Sequence, residues 1–353
     1  MPDGPRLAVL QLDSASLRVL ERLLGEGRLP ALAGLRARGL WQELETPATH
    51  FAAGAFHTLY SGVELADHGV FYPFQWIAKD QRVRYMSALP HPPPVWERLG
   101  RAGRRTLAID PYEGRPPGVA RGTFVSGWQF TDRVVLQRWS APRGAGAELE
   151  RLFGAAPPGE EVFGRPSVSE LLELRRRLVA APGRVAEAAL HLLGRESFDL
   201  AWITFTAAHL AGHQLWDLSQ VEHHGLAAST RTVLEGALDE VYEAVDAALG
   251  RILEGLPGRC DLIVTSPVGM DVNSSRADLL PEMLDAVLCD GAPAAGESGS
   301  IWRLRAAVPP GVRGRVARAL PDRLALELTS RLELRGVDWG STQAFAHPAD
   351  NQG

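Results

Sequence analysis

The stretch that most constrains this chain runs from Asp199 to Trp216, where an apolar segment, Leu200 to Phe205, leads through Thr206 into His209-Leu-Ala-Gly-His213. The segment is short, biased toward β-branched and aromatic residues and bounded by polar ones, which predicts a strand buried on both faces. Such strands belong to sheets with helices packed on either side. His209 and His213 are four residues apart, so a helix after the strand places both imidazoles on one face, able to meet one ion. Histidines at this spacing are more often surface or core residues than ligands. Their place at the carboxyl end of a central strand, where open α/β sheets bind ligands, makes the pair a candidate site.

The rest of the chain alternates in the same manner. Leu7 to Leu12 reads as a strand ending at Asp13, followed by a helix with Leu17, Leu20, Leu23 and Leu24 on one side. Asp13 has two readings, the N-cap of that helix or a metal ligand. Residues 29 to 39 form a second helix and Trp41 to Leu44 a strand. From Thr46 to Val70, small residues alternate with Thr, Ser and His, a composition suited to close backbone approach and to anion binding at a helix start. Thr106 to Asp110 is a strand with a carboxylate at its end. The Gly- and Pro-rich stretch 110–165 reads as an insertion or lid, with Asp132 and with Trp128, Phe130 and Trp139, aromatics that either line a substrate pocket or, the commoner case, anchor such an excursion to the core. Ser167 to Leu193 predicts a helix with a solvated arginine face, Thr230 to Leu253 one long helix, and Leu262 to Met270 a strand and turn. The expected architecture is α/β: a doubly wound, mostly parallel sheet flanked by helices, forming a single domain over 1–353.

Asp13 after the first strand, GRLPALAGLRARG at 27–39, TLYSGVELADHGV at 58–70 and GHQLW at 212–216 together resemble the type I phosphodiesterase/nucleotide pyrophosphatase family of the alkaline phosphatase superfamily. The resemblance implies an alkaline-phosphatase-like fold, two metal ions and a Thr or Ser nucleophile. Carried over residue by residue, Asp13 matches the first metal ligand and His213 the histidine of the family's Asp-x-x-x-His, whose aspartate is here His209. Counting back from Ser61-Gly62 puts the nucleophile at Ala52, which has no hydroxyl, and leaves Thr49 as the nearest candidate. The family's Ser-Asp-His-Gly-Met falls on Ser266 to Met270, with Pro267 and Val268 in place of the two ligands. His347 is the histidine nearest the C-terminus, and its surroundings do not match the family's last ligand.

These residues lead to one expectation and two alternatives. The expectation is a metallohydrolase-like protein acting on a phosphate ester or related small molecule, with one divalent ion (zinc, manganese or iron) held by Asp13, His209 and His213 and Thr49 as nucleophile. The alternatives are a catalytically inactive protein binding a ligand or partner, and a metal-independent enzyme using His209 or His213 as acid or base. Glu222, His223 and His224 form a further histidine cluster, and Asn273, Ser274 and Arg276 are polar enough to contact an anion. The 353 residues carry a formal net charge of −5, which argues against nucleic acid as a partner. Cys260 and Cys289 are too few for a disulfide framework, no apolar run approaches membrane-helix length, and the first residues lack a signal-peptide pattern. A cytoplasmic location is the corresponding expectation.

Overall fold

The computed structural model describes residues 6–80, 82–86, 89–115, 117–131, 137–157, 167–216, 218, 227–272, 279–288, 340 and 343–344. Asp132, Glu222, His223, His224, Asn273, Ser274, Arg276, Cys289 and His347 lie outside the described residues. The chain divides into two compact units, Met1–Phe71 with Pro90–Val272, and Tyr72–Leu89 with Asn273–Gly353.

In chain order the first unit contains β1 (Leu7–Leu12), α1 (Leu17–Gly25), α2 (Pro30–Arg38), a 3-10 turn (Pro47–Thr49), α3 (Ala52–Ser61) and α4 (Leu65–His68). The second unit contributes the antiparallel pair β2 (Phe74–Ile77) and β3 (Arg82–Tyr85), with Phe74 opposite Tyr85. The first unit resumes with α5 (Val95–Arg101), β4 (Thr106–Ile109), β5 (Gly122–Ser126), β6 (Trp139–Ala141), α6 (Ala145–Phe153) and α7 (Val168–Arg195). It ends with β7 (Leu200–Phe205), α8 (Ala207–Leu215), α9 (Ala228–Glu235), α10 (Ala237–Gly255) and β8 (Asp261–Thr265), while α11 (Leu280–Leu288) belongs to the second unit.

The six strands of the first unit's sheet lie in the order β6-β5-β4-β7-β1-β8. All neighbours run parallel except β5 and β6. The apolar run of β7 is buried along its whole length because β1 and β4 flank it and helices cover its faces. Leu7 pairs with Leu200 and Leu12 with Phe205, so β1 and β7 end level, with Asp13 and Thr206 as the first residues beyond the sheet. The α/β expectation therefore holds.

Local sequence explains most element ends. Ser16 caps α1 by accepting from the Val19 N–H, so the cap is not Asp13, whose carboxylate remains for other work. Leu29 offers α2 no side-chain cap; instead Asp246 of α10 reaches across to accept from the N–H groups of Ala31 and Leu32, at 2.9 and 2.8 Å. Ser167 and Glu170 form a capping box at the start of α7.

Two local expectations change. Trp41 to Leu44 is irregular rather than a strand. The long helix expected over 230–253 is two helices meeting at Gly236. Within 110–165, β5 and β6 are strands of the main sheet, and Trp128 and Phe130 are buried in its core. Among the described residues no helix is long and apolar enough to cross a membrane.

Candidate active site

The site is built where β1, β7 and β8 end. Beyond β1 the Asp13 N–H donates to the Phe205 carbonyl at 3.0 Å, which holds this fully buried carboxylate at the carboxyl end of the sheet. Ser14 follows with φ of 49°, in the left-handed region that a serine occupies at a cost. That turn leaves the Ser14 hydroxyl 3.2 Å from Asp13 Oδ1.

The helix α8 delivers the two histidines. His209 Nδ1 lies 3.0 Å from Asp13 Oδ2, and its Nε2 lies 2.9 Å from His213 Nε2. Asp13 and His209 are buried and His213 is half-buried, so the line runs from the interior outward. Gly212 permits α8 to sit this close to the β8 loop, since a Cβ there would stand 1.8 Å from Met270 Sδ.

The surrounding loops are tied to one another. Ser266 Oγ accepts from the Ala15 N–H at 3.0 Å and donates to the Val268 carbonyl at 2.8 Å. Thr46 Oγ1 donates to the Pro267 carbonyl at 2.7 Å, fastening the 3-10 turn to the same loop. Ala52 is the first residue of α3, so the position matched to the family's nucleophile is a helix start without a hydroxyl. Thr49 is exposed in the 3-10 turn. Thus Asp13, His209 and His213 come together, while no described hydrogen bond joins Thr49 to them.

A second layer escaped the sequence reading. The Tyr112 ring packs 4.8 Å from that of His209. Tyr60 donates to the Tyr112 carbonyl at 2.9 Å and also pairs with Gln11, itself held by Trp202 Nε1 at 2.9 Å. Burial first, and the Asp13 and Glu113 carboxylates with it, push the Tyr60 hydroxyl well above its ordinary range, so it stays neutral. Behind Tyr112, His57 Nε2 lies 3.5 Å from Glu113 Oε2. Burial, with Arg115 adding to it, lowers the His57 imidazole to about 4. His68, prominent in the sequence, is structural: Nδ1 accepts from the Val70 N–H and Nε2 meets Thr58 Oγ1, each at 3.0 Å.

The sequence matches the type I phosphodiesterase / nucleotide pyrophosphatase family over residues 7–329. This chain belongs to that family. No curated protein matches it. Among solved structures, phosphonoacetate hydrolase from Sinorhizobium meliloti 1021, seen in complex with phosphonoformate and with phosphonoacetate, is similar at 18% identity with a TM-score of 0.50. Those alignments cover 81% of this chain but 62% of the hydrolase, a likeness of fold.

Against the type I phosphodiesterase pattern the donor set is short. Side chains that share an ion turn their donors to a common point. Here His209 stands between Asp13 and His213 with one nitrogen toward each. Among the described residues no group of three His, Cys, Asp or Glu side chains is arranged to hold a metal ion. Pro267 and Val268 are buried and offer no side-chain donor. Among the described residues the donors therefore do not fit the two ions that the family resemblance implies, and Asp13, His209 and His213 as arranged form a line rather than a shared point.

Proposed function

We propose that this chain is a phosphoester-hydrolase-like protein in which Asp13, His209 and His213 form an acid–base line that works without the family's pair of ions. The observation that carries this reading is the connectivity: Asp13 Oδ2 to His209 Nδ1 at 3.0 Å, then His209 Nε2 to His213 Nε2 at 2.9 Å. An ionised carboxylate only accepts, so the proton of neutral His209 sits on Nδ1. Nε2 of His209 then accepts, which puts the proton of His213 on its Nε2 and leaves Nδ1 of His213 as the basic nitrogen. A water attacking a phosphoryl group gives its proton to that nitrogen as the new O–P bond forms. The same proton passes to the leaving oxygen as the ester O–P bond breaks. The imidazolium formed in between is His213, whose Nε2–H is held by Nε2 of His209, and Asp13 keeps the His209 ring oriented and in the tautomer that accepts this bond. The substrate class is a phosphate ester or related small oxyanion, in keeping with the family.

The absence of a hydroxyl at Ala52 favours a second reading, ligand binding without turnover. One experiment separates the readings. Wild type and His213→Gln, purified without chelator, are analysed for metal and assayed in EDTA against phosphate monoesters, diesters, phosphonates and sulfate esters. Turnover that persists in EDTA and falls by about 10²-fold or more in the folded variant is the expected result. A stoichiometric ion lost together with activity in His213→Gln overturns the metal-independent reading. Thermal stabilisation by a compound that is never converted supports the binding protein.

A further inference from the structure

The β4–β7 ladder closes at Ile109 opposite Ile203. At its other end the Leu200 N–H bonds to the Arg105 carbonyl, so odd residues on the β4 side serve even residues of β7. By that alternation the next rung belongs to residue 111, which would donate to the Thr204 carbonyl and accept from the Thr206 N–H. Residue 111 is proline and has no N–H to give.

The rung is filled from elsewhere. Gln129 Nε2 donates to the Thr204 carbonyl at 2.6 Å, and Gln129 Oε1 accepts from the Thr206 N–H at 3.3 Å. The side-chain amide makes the two bonds that a ladder residue paired with Phe205 would make. Gln129 is only 2% exposed, and its own N–H donates at 2.6 Å to Asp110 Oδ2, while the Trp128 N–H donates to Asp110 Oδ1 at 3.0 Å. Asp110 thus anchors the loop that carries the amide. Thr206 precedes α8 and makes no side-chain cap of its own, so Gln129 holds the backbone where this helix starts.

We infer that Gln129 is a positioning residue: its amide replaces the rung Pro111 cannot make and fixes the start of α8, from which His209 and His213 are presented. Its consequence for function rests on the acid–base reading above, but its test needs no turnover. Imidazole nitrogen NMR and amide exchange are compared in wild type, Gln129→Leu and Gln129→Glu, the latter keeping an acceptor for the Thr206 N–H but not the donor for Thr204. Leu149→Ala, at a fully buried position of α6, controls for a general loss of stability. Exchange of the Thr206 amide at least about tenfold faster than in the control is expected in Gln129→Leu, and displaced His209 and His213 signals are expected in both variants. If Gln129→Leu does not fold, Gln129→Glu carries the comparison of histidine signals, through the lost donor to the Thr204 carbonyl. Histidine signals that stay at their wild-type positions, or move no further than in Leu149→Ala, overturn the inference. A wild-type His209 with no proton on Nδ1 would instead contradict the acid–base reading and leave the Gln129 comparison standing.

Discussion

His209 Nδ1 stands 3.0 Å from Asp13 Oδ2, across two parallel strands that end level, and the contact joins residues 196 apart in the chain. A buried carboxylate behind one nitrogen of a histidine fixes which nitrogen carries the proton and which faces outward. Both the proposed chemistry and its tests depend on that choice.

Asp13→Asn keeps the shape of the site and removes its charge. An amide oriented to donate would force the His209 proton to Nε2, reversing the line. The expected outcome is a change of the His209 tautomer in nitrogen NMR and a fall in hydrolysis of about 10²–10⁴-fold, with the circular dichroism spectrum retained. An unchanged tautomer would detach Asp13 from the role given to it.

Exhaustive dialysis against EDTA should leave the melting temperature where it was. An ion bound to the folded chain alone stabilises it by mass action, so its removal lowers the melting temperature, whereas a site without one has nothing to lose. Calorimetry before and after dialysis, with zinc, manganese and iron added back singly, makes the comparison.

Asp110 predicts a pH dependence of opposite sign to that of most carboxylates. Burial raises it to about 6 from an ordinary 3.8, against the lowering effect of the Trp128 and Gln129 N–H groups. A raised folded value means that the folded chain holds this proton more tightly. The contribution to stability is complete below the unfolded value and is lost as pH rises through about 6, amounting to on the order of 3 kcal/mol. Urea unfolding across this range should show wild type losing stability with rising pH relative to Asp110→Asn. Parallel curves for the two proteins would contradict it.

Gly212→Ala should destabilise the fold by about 1–3 kcal/mol, because the new methyl overlaps Met270 Sδ and that side chain must move. Met270→Ala in the same chain should recover part of the loss, a coupling that a double-mutant cycle in denaturant measures directly. Additive losses would place the strain elsewhere.

The sequence by itself determined the alternation of elements and the ends of the central strands. Leu7 to Leu12 and Leu200 to Phe205 are apolar runs that can be satisfied only inside a covered sheet, so their bounds and the polar residues after them were legible locally. The same holds for the placement of Asp13, His209 and His213 at carboxyl ends of strands. Two local ambiguities needed neighbours to resolve them. Ser16 took the α1 cap that was one of the two readings of Asp13, and Gly236 divided a pattern that read as one helix.

What only the tertiary structure decided is how the candidate residues meet. Spacing puts two imidazoles on one face of a helix, but not which nitrogen each turns inward; that follows from the carboxylate of a distant strand packed behind His209. Nothing near Gln129, Tyr112 or His57 in the chain announces a role, since their partners lie on other elements. Periodicity records which side of an element is buried, because burial repeats along the chain. Donor direction and long-range pairing do not repeat, and are set only when the sheet brings its strand ends together.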